Sequence, residues 1–297
     1  MRIKKNVPQK RKQTFVLVIP RFEDIFHSYY AGEIIRGVTL SASRLNVDIL
    51  IHITDRSNHE GWLDSSLLDL QYVQGIIFAD IDNDLEIVQR ALRAGMPCMV
   101  LNNVLAEPIN YIAINNYQAA FDAVRYLISL GHKRIATIAG DPSTQSGLAR
   151  LEGYRAALKE HRLDVPRSYV TNGQFLRTPA REAALKLLKL ENRPTAIFVA
   201  SDVMALEAVD AAKSLNVSIP QELSIIGFDD NPVNLTSSVP LTTIAQPLME
   251  MGRLGAEQLG RVIQGQERLP VKMILPTKFL KRESTASAGI KQPRDKK

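Results

Sequence analysis

Four pairs of polar residues directly follow short apolar runs in this chain. They are Asn102-Asn103 after Val100-Leu101, Asn115-Asn116 after Ile114, Ser201-Asp202 after Val199-Ala200, and Asp229-Asp230 after Gly227-Phe228. Such amides, hydroxyls and carboxylates can hold a small molecule by hydrogen bonds, or each pair can cap the helix that follows it. Ser201 and Asn116 read as caps; four pairs together suggest a polar ring around a ligand. Arg150 comes just after the glycine-bounded run Gly140-Asp141-Pro142-Ser143-Thr144-Gln145-Ser146-Gly147. Its guanidinium can fork onto two oxygens of a ligand, vicinal hydroxyls or a carboxylate, or form a surface salt bridge. Phe175, in Asn172-Gly173-Gln174-Phe175, offers a ring face that can stack on the C–H side of a sugar or on a flat base, or simply pack.

Covalent chemistry finds no support among these residues. The run from Gly140 lacks the spacing and the lysine of a phosphate-binding loop. No glycine-x-glycine fingerprint follows the first strand, and no serine stands in a glycine-x-serine-x-glycine frame. The five histidines (His27, His52, His59, His132, His161) are scattered and never paired at metal spacing. His132, after Gly131, reads as a helix-end residue that complements the dipole. Cys98 lies in an apolar strand and reads as a buried, inert thiol. The expectation is a binding protein, not an enzyme, with neither metal nor cofactor.

The elements that must position these groups alternate strand and helix. Phe15–Pro20 reads as a buried strand and Val47–Ile53, Gly75–Ala79 and Pro97–Leu101 as further strands, with helical spacing in Ile34, Ile35, Val38, Leu45 and again in Leu85, Val88, Leu92. A second series begins near residue 116: a helical face (Phe121, Val124, Leu127, Ile128) stops at Gly131, a helix-end signal. Strands follow at Arg134–Ala139, Thr195–Ala200 and Leu223–Phe228, with helices around Leu151–Leu158, Ala183–Leu190 and Met204–Leu215. Continuous apolar strands between amphipathic helices mean parallel sheets covered on both faces. Two such sets predict an α/β fold of two doubly wound lobes. The last fifty residues hold one helix (Leu248–Ile263) and two extended pieces (Val271–Leu275, Lys278–Lys281), too little for a third core. They complete the two lobes, so the chain must cross between lobes repeatedly, at a hinge beside a cleft.

The chain has 297 residues, 45% hydrophobic and 23% charged, enough for about two domains. No apolar run reaches the length of a membrane span, no secretory signal is visible, and a single cysteine excludes an internal disulfide. A cytoplasmic protein is expected. The net charge of +6 is confined to the ends: residues 1–12 hold six basic side chains and no acid, and residues 281–297 hold six against two. Residues 13–280 therefore carry −4, and the basic ends read as solvated, disordered tails.

Several stretches, in order, resemble the lactose/galactose repressor (LacI/GalR) family of bacterial transcription regulators, from about Thr14 to Ser287. They are Glu33-Ile34-Ile35-Arg36-Gly37, Leu130-Gly131-His132-Lys133-Arg134-Ile135-Ala136, Arg150-Leu151-Glu152-Gly153-Tyr154 and Ser201-Asp202-Val203-Met204-Ala205. Ile219–Asp230, Pro240–Pro247, Leu275-Pro276-Thr277 and Arg282-Glu283-Ser284-Thr285 complete the match. The resemblance implies a periplasmic-binding-protein-like fold with three hinge crossovers, usually dimeric. The expected division is an arm at 1–13, a first lobe at 14–115 plus 246–268, a second at 116–245 plus 269–286, and a tail at 287–297. The family's pocket maps onto Arg150 and Asp229 as the grip on the effector, with Ser146 and Phe175 beside them. Asn102, Asn115, Ser201 and Gln246 match further lining positions, and Tyr29 and Tyr30 fall where the first loop carries aromatics. Asn102 and Asn115 stand where many members have aspartate, and Ser201 where asparagine is frequent, so the sugar's identity does not carry across.

The function implied is a ligand sensor: a sugar-like effector enters the cleft, and its binding is coupled to DNA binding by a homodimer. Solute capture for a sugar transporter is the alternative on the same fold. The family's DNA-reading helix-turn-helix has no counterpart in the thirteen residues before the match, where Pro8 interrupts any helix. Operator binding is therefore expected only with such a head supplied upstream.

Overall fold

The computed structural model describes residues 13–20, 28–54, 72–81, 85–164, 166–235 and 237–289. Residues 1–12 of the arm expected at 1–13, His27, His59 and the last part of the tail, 290–297, lie outside the described residues; Gln13 already belongs to the first strand. The described chain forms two compact units, residues 1–113 with 248–274 and residues 114–247 with 275–297, so it passes from one to the other three times.

In the N-terminal unit, β1 (Gln13–Pro20), β2 (Val47–Thr54), β3 (Gly75–Phe78), β4 (Cys98–Leu101) and β5 (Tyr111–Ile114) join β11 (Lys272–Leu275) in the order β11-β5-β4-β3-β1-β2. The β1–β2, β1–β3, β3–β4 and β4–β5 pairs are parallel. Every residue of β3 and β4 is buried, as continuous apolar strands require. Helices α1 (Tyr29–Leu45) and α7 (Leu248–Ile263) pack together closely. A Cβ on Gly37 would fall 2.0 Å from the Met249 carbonyl oxygen, and one on Gly252 would fall 2.4 Å from that of Ile34. Helix α2 (Leu85–Arg93) buries Val88 and packs Leu85 against the core, as the spacing predicts, but it turns Ile87 and Ala91 inward and leaves Leu92 37% exposed.

The C-terminal unit holds a parallel sheet in the order β7-β6-β8-β9, built from β6 (Ile135–Ala139), β7 (Val170–Asn172), β8 (Ala196–Val199) and β9 (Ser224–Ile226). Helix α3 (Asn116–Ser129) leads into β6, helices α4 (Gln145–Glu160), α5 (Arg177–Leu188) and α6 (Asp202–Ser214) connect the strands in turn, and β10 (Thr243–Ala245) pairs antiparallel with β12 (Lys278–Leu280). Both sheets reverse their strand order, between β1 and β3 in one unit and between β6 and β8 in the other. In such sheets the loops at the carboxyl ends flanking the reversal form the binding crevice.

The expected boundaries and the role of His132 need correction. The last crossing comes after residue 274, not 268, because β11 extends the N-terminal sheet beside β5: Tyr111 N–H donates to the Val271 carbonyl (2.8 Å) and Val271 N–H to Asn110 Oδ1 (2.9 Å). The other crossings fall after 113 and 247, which moves Gln246 into the C-terminal unit. The expected tail at 287 begins too early, since Ala288 N–H still donates to the Leu130 carbonyl (2.8 Å). His132 does not serve the helix dipole. Its ring lies within hydrogen-bonding distance of Thr195 Oγ1 (3.0 Å), Ser224 Oγ (3.1 Å) and the Ala286 carbonyl (3.0 Å), and burial lowers its pKa. A neutral imidazole thus ties the amino ends of β8 and β9 to the segment around Ala286.

Candidate ligand-binding site

At the carboxyl edge of the C-terminal sheet, Thr144 caps α4 by accepting from Gly147 N–H (3.0 Å). The helix begins at Gln145, six residues before the expected Leu151, so Ser146 lies in its first turn and Arg150 in its second. Arg150 is 3% exposed. Its Nε donates to Asn116 Oδ1 (2.8 Å) and its Nη1 to the Ala200 carbonyl (2.6 Å), while its Cζ lies 3.6 Å from the centre of the Phe228 ring. A buried cation with hydrogen bonds in its plane and an aromatic face against it is fixed in one orientation.

Asp229 faces it, with Oδ1 3.8 Å from Arg150 Nη1. The Asp229 side chain keeps 18% of its surface exposed, against 4% for Arg150, so the carboxylate is the more accessible partner. It also accepts from Gln246 Nε2 (2.6 Å). Asp229 adopts φ 125° and Asp230 φ 62°, conformations that L-residues rarely take and that a binding turn can hold only with outside support. Burial raises the Asp229 pKa; the Arg150 charge opposes that rise and the nearby Asp202 carboxylate adds to it.

Support for the turn comes from Asp202, a residue the sequence singled out only as part of a polar pair. It is fully buried, its Oδ1 accepting from Thr243 Oγ1 (2.7 Å) and its Oδ2 from Asn231 N–H (2.8 Å). Arg282 holds the other side, donating to Asp230 Oδ1 (2.5 Å) and the Leu241 carbonyl (2.9 Å). The available signal was Gly227, whose added Cβ would meet Asp202 Oδ1 at 2.0 Å. The role of Phe228 beneath the guanidinium left no trace in spacing.

Phe175 and Gln174 both sit at positive φ (58° and 55°), and the Phe175 ring lies directly over Gly140: a Cβ there would be 2.1 Å from its Cζ. The ring is 5.8 Å from Arg150 Cζ and only partly buried. Ser146 is 7% exposed, its Oγ 3.5 Å from Thr144 Oγ1. Ser201 caps α6, as expected, through Met204 N–H (3.4 Å). The other cap assignment is reversed. Asn115 caps α3 by accepting from Gln118 N–H (2.9 Å), and Asn116, expected as the cap, is the amide that holds Arg150.

The N-terminal unit gathers its own nominated residues at the carboxyl ends of β3 and β4. Asn102 is 3% exposed at φ 65° and its Nδ2 donates to Asp80 Oδ2 (3.3 Å). Tyr30 Oη donates to the Ala79 carbonyl, and Tyr29 stands beside it in the first turn of α1. Cys98 is fully buried, and burial pushes its thiol up to about 12. Among the described residues no cluster of three histidine, cysteine or acidic side chains could hold a metal, and no helix is long and apolar enough to cross a membrane.

Comparison with known proteins agrees with this architecture. Residues 124–285 match the periplasmic binding protein-like domain family. The chain is 36% identical over 271 residues to the HTH-type transcriptional repressor CytR of Escherichia coli (strain K12), covering 88% of this chain and 76% of that protein. Among solved structures it is similar to a transcriptional regulator CelR–cellobiose complex, with a TM-score of 0.85, 30% identity and coverage of 94% of this chain and 86% of that one. The lac repressor dimer bound to operator and the anti-inducer ONPF matches with a TM-score of 0.83 at 25% identity, covering 93% of this chain and 95% of that chain. The chain belongs to the LacI family of transcriptional regulators.

Proposed function

We propose that this chain is the effector-sensing core of a cytoplasmic transcriptional regulator, and that its C-terminal unit grips a small polar ligand, a sugar or sugar derivative, at the edge built around Arg150. The observation that carries this reading is the buried guanidinium fixed over Phe228, with the more accessible Asp229 3.8 Å away on a turn held in positive-φ geometry. Rigid, oppositely charged groups beside a partly exposed ring suit hydroxyl recognition and ring stacking. The relatives are regulators, one of them solved with cellobiose, which supports a regulator over transporter solute capture and over an enzyme.

In this proposal Ser146, Phe175, Asn115, Ser201 and Gln246 serve this ligand, and Asn102, Tyr29 and Tyr30 are the residues of the N-terminal unit proposed for ligand contact. The active species is a homodimer, and ligand binding shifts the conformational balance that governs its hold on operator DNA. A thermal-shift screen over neutral sugars, sugar acids, sugar phosphates, nucleosides and amino acids tests it. A ligand at about 100 times its Kd stabilises the folded state by about 2.7 kcal/mol, a readily measured rise in Tm. No shift with any member would count against effector sensing, and unchanged ligand affinity in Asn102→Ala would remove Asn102 from the site.

A further inference from the structure

The two edges of the C-terminal unit's sheet carry opposite charge. The segments that lead into its strands, 130–134 before β6, 161–169 before β7, 189–195 before β8 and 215–223 before β9, hold six basic residues (Lys133, Arg134, Arg162, Arg167, Lys189, Arg193) against three acidic ones (Asp164, Glu191, Glu222). The segments that leave the carboxyl ends, 140–144, 173–176, 200–201 and 227–242, hold Asp141, Asp229 and Asp230 and no basic residue. At the amino edge Arg193 pairs with Glu222 (2.8 Å), and Arg134 Nε donates to the Arg193 carbonyl (3.0 Å). Lys133, Arg162, Arg167 and Lys189 are exposed and make no ion pair among the described residues.

These cations exceed what the fold needs. Helices α3, α4, α5 and α6 all end at this edge, and the free carbonyls of a helix C-terminus carry about −0.5 charge. Lys159, Lys186 and Lys213 stand in the last turns of α4, α5 and α6 to offset it, with Glu160 the one acidic residue there. The cations of the four segments come on top of these. The chain also leaves from here: Ala288 N–H donates to the Leu130 carbonyl (2.8 Å), and the sequence continues with Lys291, Arg294, Lys296 and Lys297 against Asp295. At no more than about 3.6 Å per residue, those charges stay within about 30 Å of the edge.

An interface with an acidic protein centres on aromatic or aliphatic anchors, and a single strand of nucleic acid is held by stacking on aromatic rings. None of the large hydrophobic side chains exposed among the described residues lies in these four segments. What they offer is charge without anchors, the chemistry that positions a phosphate backbone. Arg167, Arg134 and Arg193 precede three neighbouring strands, β7, β6 and β8, at a strand spacing of about 4.8 Å, so the cations form a row. From this we infer that the amino edge of the C-terminal sheet is an interaction surface that docks on the backbone of double-stranded DNA without reading its sequence. It is separate from the effector edge and needs no DNA-reading head.

Fluorescence anisotropy tests it on the full chain, with two labelled DNA duplexes of about 30 base pairs and unrelated sequence. Both should bind at about 50 mM salt with affinities within about twofold of each other, and with four phosphates contacted, raising the salt to about 200 mM should cost about 100-fold. Lys133→Glu/Arg167→Glu/Lys189→Glu, shown to be folded by its unfolding transition, should lose at least about tenfold. The milder Lys133→Gln/Arg167→Gln/Lys189→Gln should lose at least about threefold. Lys10→Glu/Arg11→Glu/Lys12→Glu makes the same change in net charge on the N-terminal arm and should lose less than the edge variant. No binding by the wild type, or wild-type affinity in both edge variants, overturns the inference. So does an equal or larger loss in the arm variant, which would assign the attraction to the arm or to net charge alone. A tenfold preference for one duplex, tighter binding of the single strand, or retention on phosphatidylserine vesicles that the duplex does not displace overturns the choice of partner.

Discussion

Replacing Asp202 with alanine should loosen the whole Asp229 turn. The carboxylate is fully buried and accepts from the Thr243 hydroxyl at 2.7 Å and from Asn231 N–H at 2.8 Å. Hydrogen bonds to a charged group contribute about 1.5–3 kcal/mol each, and truncation leaves two buried donors without a partner. Against this, the variant no longer buries a carboxylate, a burial that already raises the Asp202 pKa. The net loss should be about 2–4 kcal/mol, a drop of about 5–15 °C in Tm for a unit of this size. The pH dependence gives a second reading. Asp202 and Asp229 both have pKa values raised by burial. Between the unfolded carboxylate value and those raised values the native state binds more protons, so lowering the pH through this window stabilises the wild type. Asp202→Asn removes one of the two groups and should flatten that rise. Thermal unfolding followed by circular dichroism at pH 7.5 and pH 5 measures both effects. A Tm within about 2 °C of wild type for Asp202→Ala, or an unchanged pH profile for Asp202→Asn, would refute the assignment of Asp202 as the support of the turn.

Three further outcomes are expected. Gly140→Ala should destabilise the chain by about 1 kcal/mol and weaken ligand binding, because its Cβ displaces the Phe175 ring, and most of the stability loss should vanish in a Phe175→Ala background; equal losses in the two backgrounds would break the link. The lowered pKa of His132 means that its contribution to stability is present above the unfolded value of about 6.5 and is lost on acidification. Unfolding measured from pH 7.5 to pH 5 should therefore show a steeper gain in His132→Gln than in wild type, and an identical slope would contradict the neutral bridging role. Cys98, buried with its thiol near 12, should not react with an aromatic disulfide reagent until the protein unfolds; prompt colour development in the native state would show otherwise.

The strands were the most legible part of the fold, because strands buried on both faces must be apolar throughout; β3 and β4 emerge directly from their residues. The start of α4 did not. Ser146 and Gly147 read as loop, yet Thr144 caps the helix and Gly147 is needed because a Cβ there would meet the Asp141 carbonyl oxygen at 2.1 Å. β11 was expected as an extended piece but assigned to the wrong unit, since nothing in four residues tells which sheet edge they will join. At the site, residue types after strand ends nominated Arg150 and Asp229. Which of two adjacent asparagines caps and which grips the guanidinium depends on the direction of each side chain, which residue type and spacing do not encode. The same holds for Phe228 beneath Arg150 and for Asp202 beneath the turn.

Calorimetric titration of the best ligand from the thermal-shift screen into wild type, Arg150→Met and Asp229→Asn is the most direct measurement of whether this edge recognises the effector. Both substitutions keep side-chain volume while removing a charge, and each should weaken binding by at least about tenfold, with the heat of binding falling in parallel. Wild-type affinity retained in both folded variants would mean that the ligand is held elsewhere.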